Sequence, residues 1–153
     1  MKKSLFTLAF CFCFLAANAQ KVSFDPIDWQ ASDSVTIKID FSGTTFHGYT
    51  GDLYLWSWMI NGAGQSFDNP NNGVWSASNT SSKLANLGSN IRTIKILPSG
   101  YFGIHADFIK NTGINFLIKK LDGNDATGGF PGKSQDFLGN KPMASDGISP
   151  NTA

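Results

Sequence analysis

The stretch "SVTIKIDFSG", Ser34 to Gly43, carries Val35, Ile37, Ile39 and Phe41 on alternate positions, against Thr36, Lys38, Asp40 and Ser42. Apolar residues at every second position would spread around a helix, but they line one face of a strand. This segment therefore predicts a half-buried antiparallel strand, and it constrains the rest of the chain to supply a sheet for it to join. "RTIKIL" repeats the pattern through Ile94 and Ile96, and "INFLIKKL" repeats it through Ile114, Phe116 and Ile118 against Asn115, Leu117 and Lys119. "KVSFD" at Lys21 and "KSQDFL" at Lys133 are shorter candidates. Turn-rich pieces separate them: "NGAGQSFDNPNNG", "NLGSN", "LPSGYFG" and "LDGNDATGGFPG". Only "GIHADFI", Gly103 to Ile109, reads as helical, for one or two turns. Six or seven short strands divided by turns predict an all-β fold, a single antiparallel immunoglobulin-like β-sandwich.

The segment 1–19 reads as a secretory signal. It has a basic start in "MKK", an apolar run "SLFTLAFCFCFLA" and small residues at Ala17 and Ala19, so cleavage is expected before Gln20. Lipoprotein processing would need a small residue before the cysteine, whereas Phe10 precedes Cys11 and Phe12 precedes Cys13. The expected product is exported, either secreted or held at the outer membrane or cell surface. Cleavage would take both cysteines, so the mature domain is expected to rest on its hydrophobic core rather than on disulfides. The predicted organisation is a signal at 1–19, a β-sandwich at 20–140, and a linker or truncated tail at 141–153. Loss of Lys2 and Lys3 leaves ten basic residues against 11 acidic ones. That balance gives no basic field for nucleic acid and no polybasic membrane patch.

One further strand is unusual. "LYLWSW", Leu53 to Trp58, places Leu53, Leu55 and Ser57 on one face and Tyr54, Trp56 and Trp58 on the other. A buried Trp on a central strand is a hallmark of immunoglobulin-type sandwiches, so a core role is the first reading. Leu53, Leu55 and Met59 already form an aliphatic set matching the cores of the other strands, and a second set of aromatics would overfill a thin sandwich. The aromatic face is therefore expected to point outward, with Trp75 in "NNGVWS" nearby. Exposed aromatics in a row need a partner. The apolar face of a pyranose suits the negative face of an aromatic ring, and a neighbouring protein domain is the rival.

The run "GDLYLWSW … NNGVW … KLANLGSNIRTIKILPSGYFGI … INFLIKKLDG … KSQDF" resembles exported β-sandwich modules of Bacteroidota. These occur in starch-utilisation outer-membrane binding proteins and beside extracellular glycoside hydrolases, and the resemblance covers roughly residues 22–138. Related starch-binding carbohydrate-binding modules carry alternating aromatics on one strand and a Trp on a following loop. Tyr54, Trp56 and Trp58 match the first element and Trp75 the second, which implies a non-catalytic module binding a polysaccharide or oligosaccharide, an α-glucan above all. Gln65 and Lys83 are the polar partners expected from neighbouring loops. The alternative is a structural or assembly module of a surface complex, with the same aromatics against a neighbouring domain or subunit.

Other chemistry finds little footing. His47 and His105 are far apart in sequence, there is no GxSxG, HExxH or phosphate loop, and no pair among Asp25, Asp28, Asp52 and Asp107 is singled out for glycoside hydrolysis. Asp122, Asn124 and Asp125 partly match a calcium loop, which lacks the later bidentate Glu, and a polar hairpin looks the same. No enzyme activity, cofactor or metal is expected.

Overall fold

The computed structural model describes residues 21–140. The expected signal at 1–19 and the expected tail at 141–153 lie outside the described residues. Two four-stranded sheets pack face to face. The first joins β1 (Lys21–Asp25), β2 (Val35–Asp40), β8 (Ile91–Ile96) and β7 (Ala85–Gly88), in that order. The second joins β10 (Phe137–Asn140), β9 (Ile114–Lys119), β3 (Tyr54–Ile60) and β4 (Ser66–Asp68). A small hairpin of β5 (Gly73–Val74) and β6 (Ala77–Ser78) stands apart from both. Each of these strand pairings is antiparallel. The chain crosses between sheets after β2, again before β7 and again after β8, so β2 meets β8 and β3 meets β9. That is the order of an immunoglobulin-like sandwich.

Alternation sets which residues reach the core. Val35, Ile37 and Ile39 of β2 are fully buried and face Ile94 and Ile96 of β8, while Lys38 is exposed. From the second sheet come Leu53, Leu55 and Met59 together with Ile114, Phe116 and Ile118. Trp29, which sequence patterning did not single out, fills the core beside β1 and stacks on Phe24 at 5.7 Å. The core tryptophan of this sandwich thus comes from the β1–β2 connection, and the tryptophans of β3 are left for the opposite face.

Two elements depart from the expectation. The segment "LPSGYFG" folds into a short helix α1 (Pro98–Tyr101), with Pro98 opening it as helix N-termini favour. After it the Gly103–Phe108 segment is helical as expected, a 3-10 helix that leads into α2 (Ile109–Thr112). In β9 the outer residues Asn115, Leu117 and Lys119 are as buried as the inner ones, because a second layer of chain covers that face.

Candidate functional site

Strand β3 separates its two sides as its sequence dictates. Leu55, Ser57 and Met59 have no exposure, whereas Trp56 and Trp58 are half-buried on the other face. In register with them on β9 lie Leu117 opposite Trp56 and Asn115 opposite Trp58. Tyr54 is a correction to the outward set. It occupies the same face but is only 6% exposed, in register with Lys119 on one side and bridged to Lys83 on the other. With β9 on one flank and the chain at Lys83 on the other, it is buried, so it supports the aromatic row without offering a surface ring.

Trp75 is brought to Trp56 by a folded connection. Strand β4 stops pairing at Asp68, and two buried asparagines then take over the edge of β3. The Asn72 side chain accepts from the Ser57 N–H at 2.9 Å and donates to the Ser57 carbonyl at 2.8 Å, as a strand partner would. Asn69 donates its backbone N–H to the same carbonyl at 3.0 Å and its side-chain amide to the Ser57 hydroxyl at 3.1 Å. Gly73 follows at φ 81°, where a side chain would collide with the Ala77 carbonyl at 2.8 Å. The chain then turns back on itself and carries Trp75 at the tip of the β5–β6 hairpin.

The two indoles meet edge to face, with centroids 5.0 Å apart and planes at 76°. Trp75 donates its ring N–H to Asn124 at 3.1 Å. Its six-membered ring also lies directly on Gly123, where an added Cβ would sit 2.4 Å from ring carbon. The turn Leu121–Asp125 therefore acts as the seat of this ring.

Beside both rings lies a buried cation. Lys119 has no exposure, and its ammonium stands 5.4 Å from the Trp56 centroid and 5.3 Å from that of Trp75. It donates to the Ser78 hydroxyl at 2.6 Å and to the carbonyls of Lys120 and Leu121 at 3.0 and 2.7 Å, which accounts for its three protons. Removal from water pulls this ammonium down to about 8, with Asp122 acting the other way. One side chain thus ties β9, the β6 strand and the 121–125 turn together under two aromatic rings.

The other expected residues lie apart from this pair. Gln65 closes the β3–β4 turn, accepting from the Asn61 amide at 2.8 Å and donating its N–H to Asn61 at 2.9 Å. The ammonium of Lys83 is taken up by Asp52 at 2.7 Å, and that hydrogen bond raises its affinity for its proton. Asp122 and Asp125 cap turns through the N–H groups of Asn124 and Thr127, both at 2.9 Å, and Asn124 is the acceptor for Trp75. Among the described residues, no group of three His, Cys, Asp or Glu side chains could hold a metal ion. No protein-family model matches this chain, and no curated protein matches it.

Proposed function

We propose that the Trp56, Trp58 and Trp75 face binds carbohydrate without cleaving it, as part of an exported or cell-surface protein, and that the ligand is an α-glucan. The observation that carries this reading is the set of three half-buried tryptophans on the side of β3 away from the core, two of them locked edge to face over a buried lysine. A loose aromatic loses freedom when it stacks on a ligand; these two rings have already lost it, so little ordering remains to oppose binding. Ring planes at 76° address a ligand that turns rather than a flat ribbon, and an α-linked glucan is a turning chain. The resemblance to starch-binding modules points the same way. Tyr54, Gln65 and Lys83 play no direct part in this proposal, since each is engaged elsewhere in the fold.

Titration with malto-oligosaccharides, read by tryptophan emission, tests it. Dissociation constants of about 10 μM to 1 mM are expected for an open site with few fixed hydrogen bonds. A flat response across starch, dextran, xylan and mannan fragments would reject it. The second reading, an assembly surface, draws on Val74 and Leu121, which are 62% and 49% exposed and flank Trp75. Sedimentation separates the two readings: a sugar-binding face leaves the protein monomeric, and an assembly face that pairs with itself does not.

A further inference from the structure

A second feature lies on the other sheet, at the end of β8. Arg92 falls in the core-facing register of that strand, two residues before Ile94, and is only 3% exposed. An arginine in that register keeps its charge at all ordinary pH, so its surroundings must compensate it. They do so only in part. Its guanidinium donates to the side-chain oxygen of Asn86 and to the carbonyls of Ile91 and Tyr49, all of them neutral. Its Nε–H is buried and has no acceptor. Asp52 acts on it through space but is itself held by Lys83 at 2.7 Å. Burial accordingly weakens the hold of Arg92 on its proton.

Beside this cation opens a cleft of about 270 Å³, small for a ligand site but of the right order. It lies between the segment Gly48–Thr50 and the β7–β8 turn, where Ser89 and Asn90 stand at φ 47° and 66°. The polarity of its lining is one-sided. The Asn86 oxygen accepts from the Gly88 N–H at 2.9 Å as well as from Arg92, which leaves its amide nitrogen as the outward group. The Asn90 oxygen accepts from the Gly48 N–H at 2.6 Å, with the same consequence. Neither amide nitrogen, nor the hydroxyl of Ser89 or Thr50, has a partner among the described residues, and no carboxylate lines the cleft. Free amide donors, two hydroxyls and one partly compensated cation thus line a space that no carboxylate enters.

We propose that this cleft is a second binding site, which takes a small ligand through an oxyanion group, a carboxylate or a phosphate. The site is separate from the tryptophan face, on the opposite sheet, and its ligand differs in charge. A guanidinium recognises a carboxylate or a phosphate through paired N–H groups, and the amides and hydroxyls of the rim would meet the remaining oxygens.

The test uses the ¹⁵N-labelled protein and three probes: glucuronate, inorganic phosphate and neutral glucose. Saturable shifts of the Arg92 Nε–H and of the Gly48 and Ser89 amides are expected with at least one anion and not with glucose. Glucuronate alone would assign the site to carboxylates, and phosphate alone to phosphate. Flat titrations with both anions, or an equal response to glucose, would overturn the proposal. Replacing Arg92 would remove ties between two loops, so the decisive variant is Ser89→Asp. Aspartate tolerates a positive φ and would set a carboxylate at the rim beside the guanidinium. It should weaken anion binding at least about tenfold, while the malto-oligosaccharide response and the thermal transition stay as they were. Unchanged anion affinity in Ser89→Asp would also overturn it.

Discussion

Lys119 shows how one residue can change role between sequence and structure. In "INFLIKKL" it stands at a polar position of an alternating strand, yet its ammonium is enclosed by two indoles and three oxygen acceptors. Its loss of water leaves it titrating near 8, below the ordinary lysine value of 10.5. Above about 8 the folded chain gives up this proton, while the unfolded chain keeps it until about 10.5. Between those values the unfolded state binds more protons, so this group adds stability as pH rises and adds nothing further once both states are neutral. Urea denaturation at pH 7, 9 and 10 should show that increment, and Lys119→Met should lack it. Because the charge faces both rings, tryptophan emission should also shift with a midpoint near pH 8 and should not do so in the same variant. Arg92 was equally hidden: "RTIKIL" displays Ile94 and Ile96 as the inward set, and the arginine two residues earlier continues that set.

At the scale of the element, β3 has two faces that should answer mutation differently. Leu55→Ala opens the core and should destabilise by about 2–5 kcal/mol. Trp56→Ala removes a half-buried ring and one cation–π contact, so about 1–2 kcal/mol is expected, with a cooperative transition retained. Thermal denaturation of the two variants checks the contrast; if Trp56→Ala costs more than Leu55→Ala, the ring is core and the binding proposal loses its centre. The Leu121–Asp125 turn offers a subtler change. Gly123→Ala puts a methyl group 2.4 Å from Trp75 ring atoms, and the backbone there is not in the left-handed region, so the ring gives way. Affinity for malto-oligosaccharides should fall about tenfold with circular dichroism unchanged, although residue 123 would not itself touch the sugar. An affinity equal to that of the parent protein would show that the seating of Trp75 has no bearing on binding.

For the whole molecule, the two proposed sites predict different responses to salt. The tryptophan face would meet a neutral glycan, and a chain with nearly balanced charge exerts little long-range field on it. Raising sodium chloride from about 0.05 to 0.5 M should leave malto-oligosaccharide affinity within about twofold, whereas anion binding at Arg92 should weaken severalfold as its charge is screened. Calorimetric titrations at the two salt concentrations measure both. A glycan affinity that collapses with salt would mean that charged groups, not rings, carry that interaction.

The all-β class, the sandwich and the division of β3 into an aliphatic and an aromatic side were legible in the sequence. Each depends on a period of two, and periodicity is a local property that survives without knowledge of neighbours. Tertiary structure decided the rest, because burial depends on what lies across a face. Tyr54 and Lys119 share the alternation of exposed residues and are covered by Lys83, the β5–β6 hairpin and the 121–125 turn; Lys83 is far from Tyr54 in sequence, and the hairpin is far from Lys119. The loop before Trp75 read as thirteen turn-forming residues, "NGAGQSFDNPNNG", and it delivers the ring to Trp56 only because Asn69 and Asn72 satisfy the backbone of Ser57. An asparagine in a turn looks the same in sequence whether its amide meets water or completes a strand edge. Only the folded chain, which brings that edge within about 3 Å, separates the two.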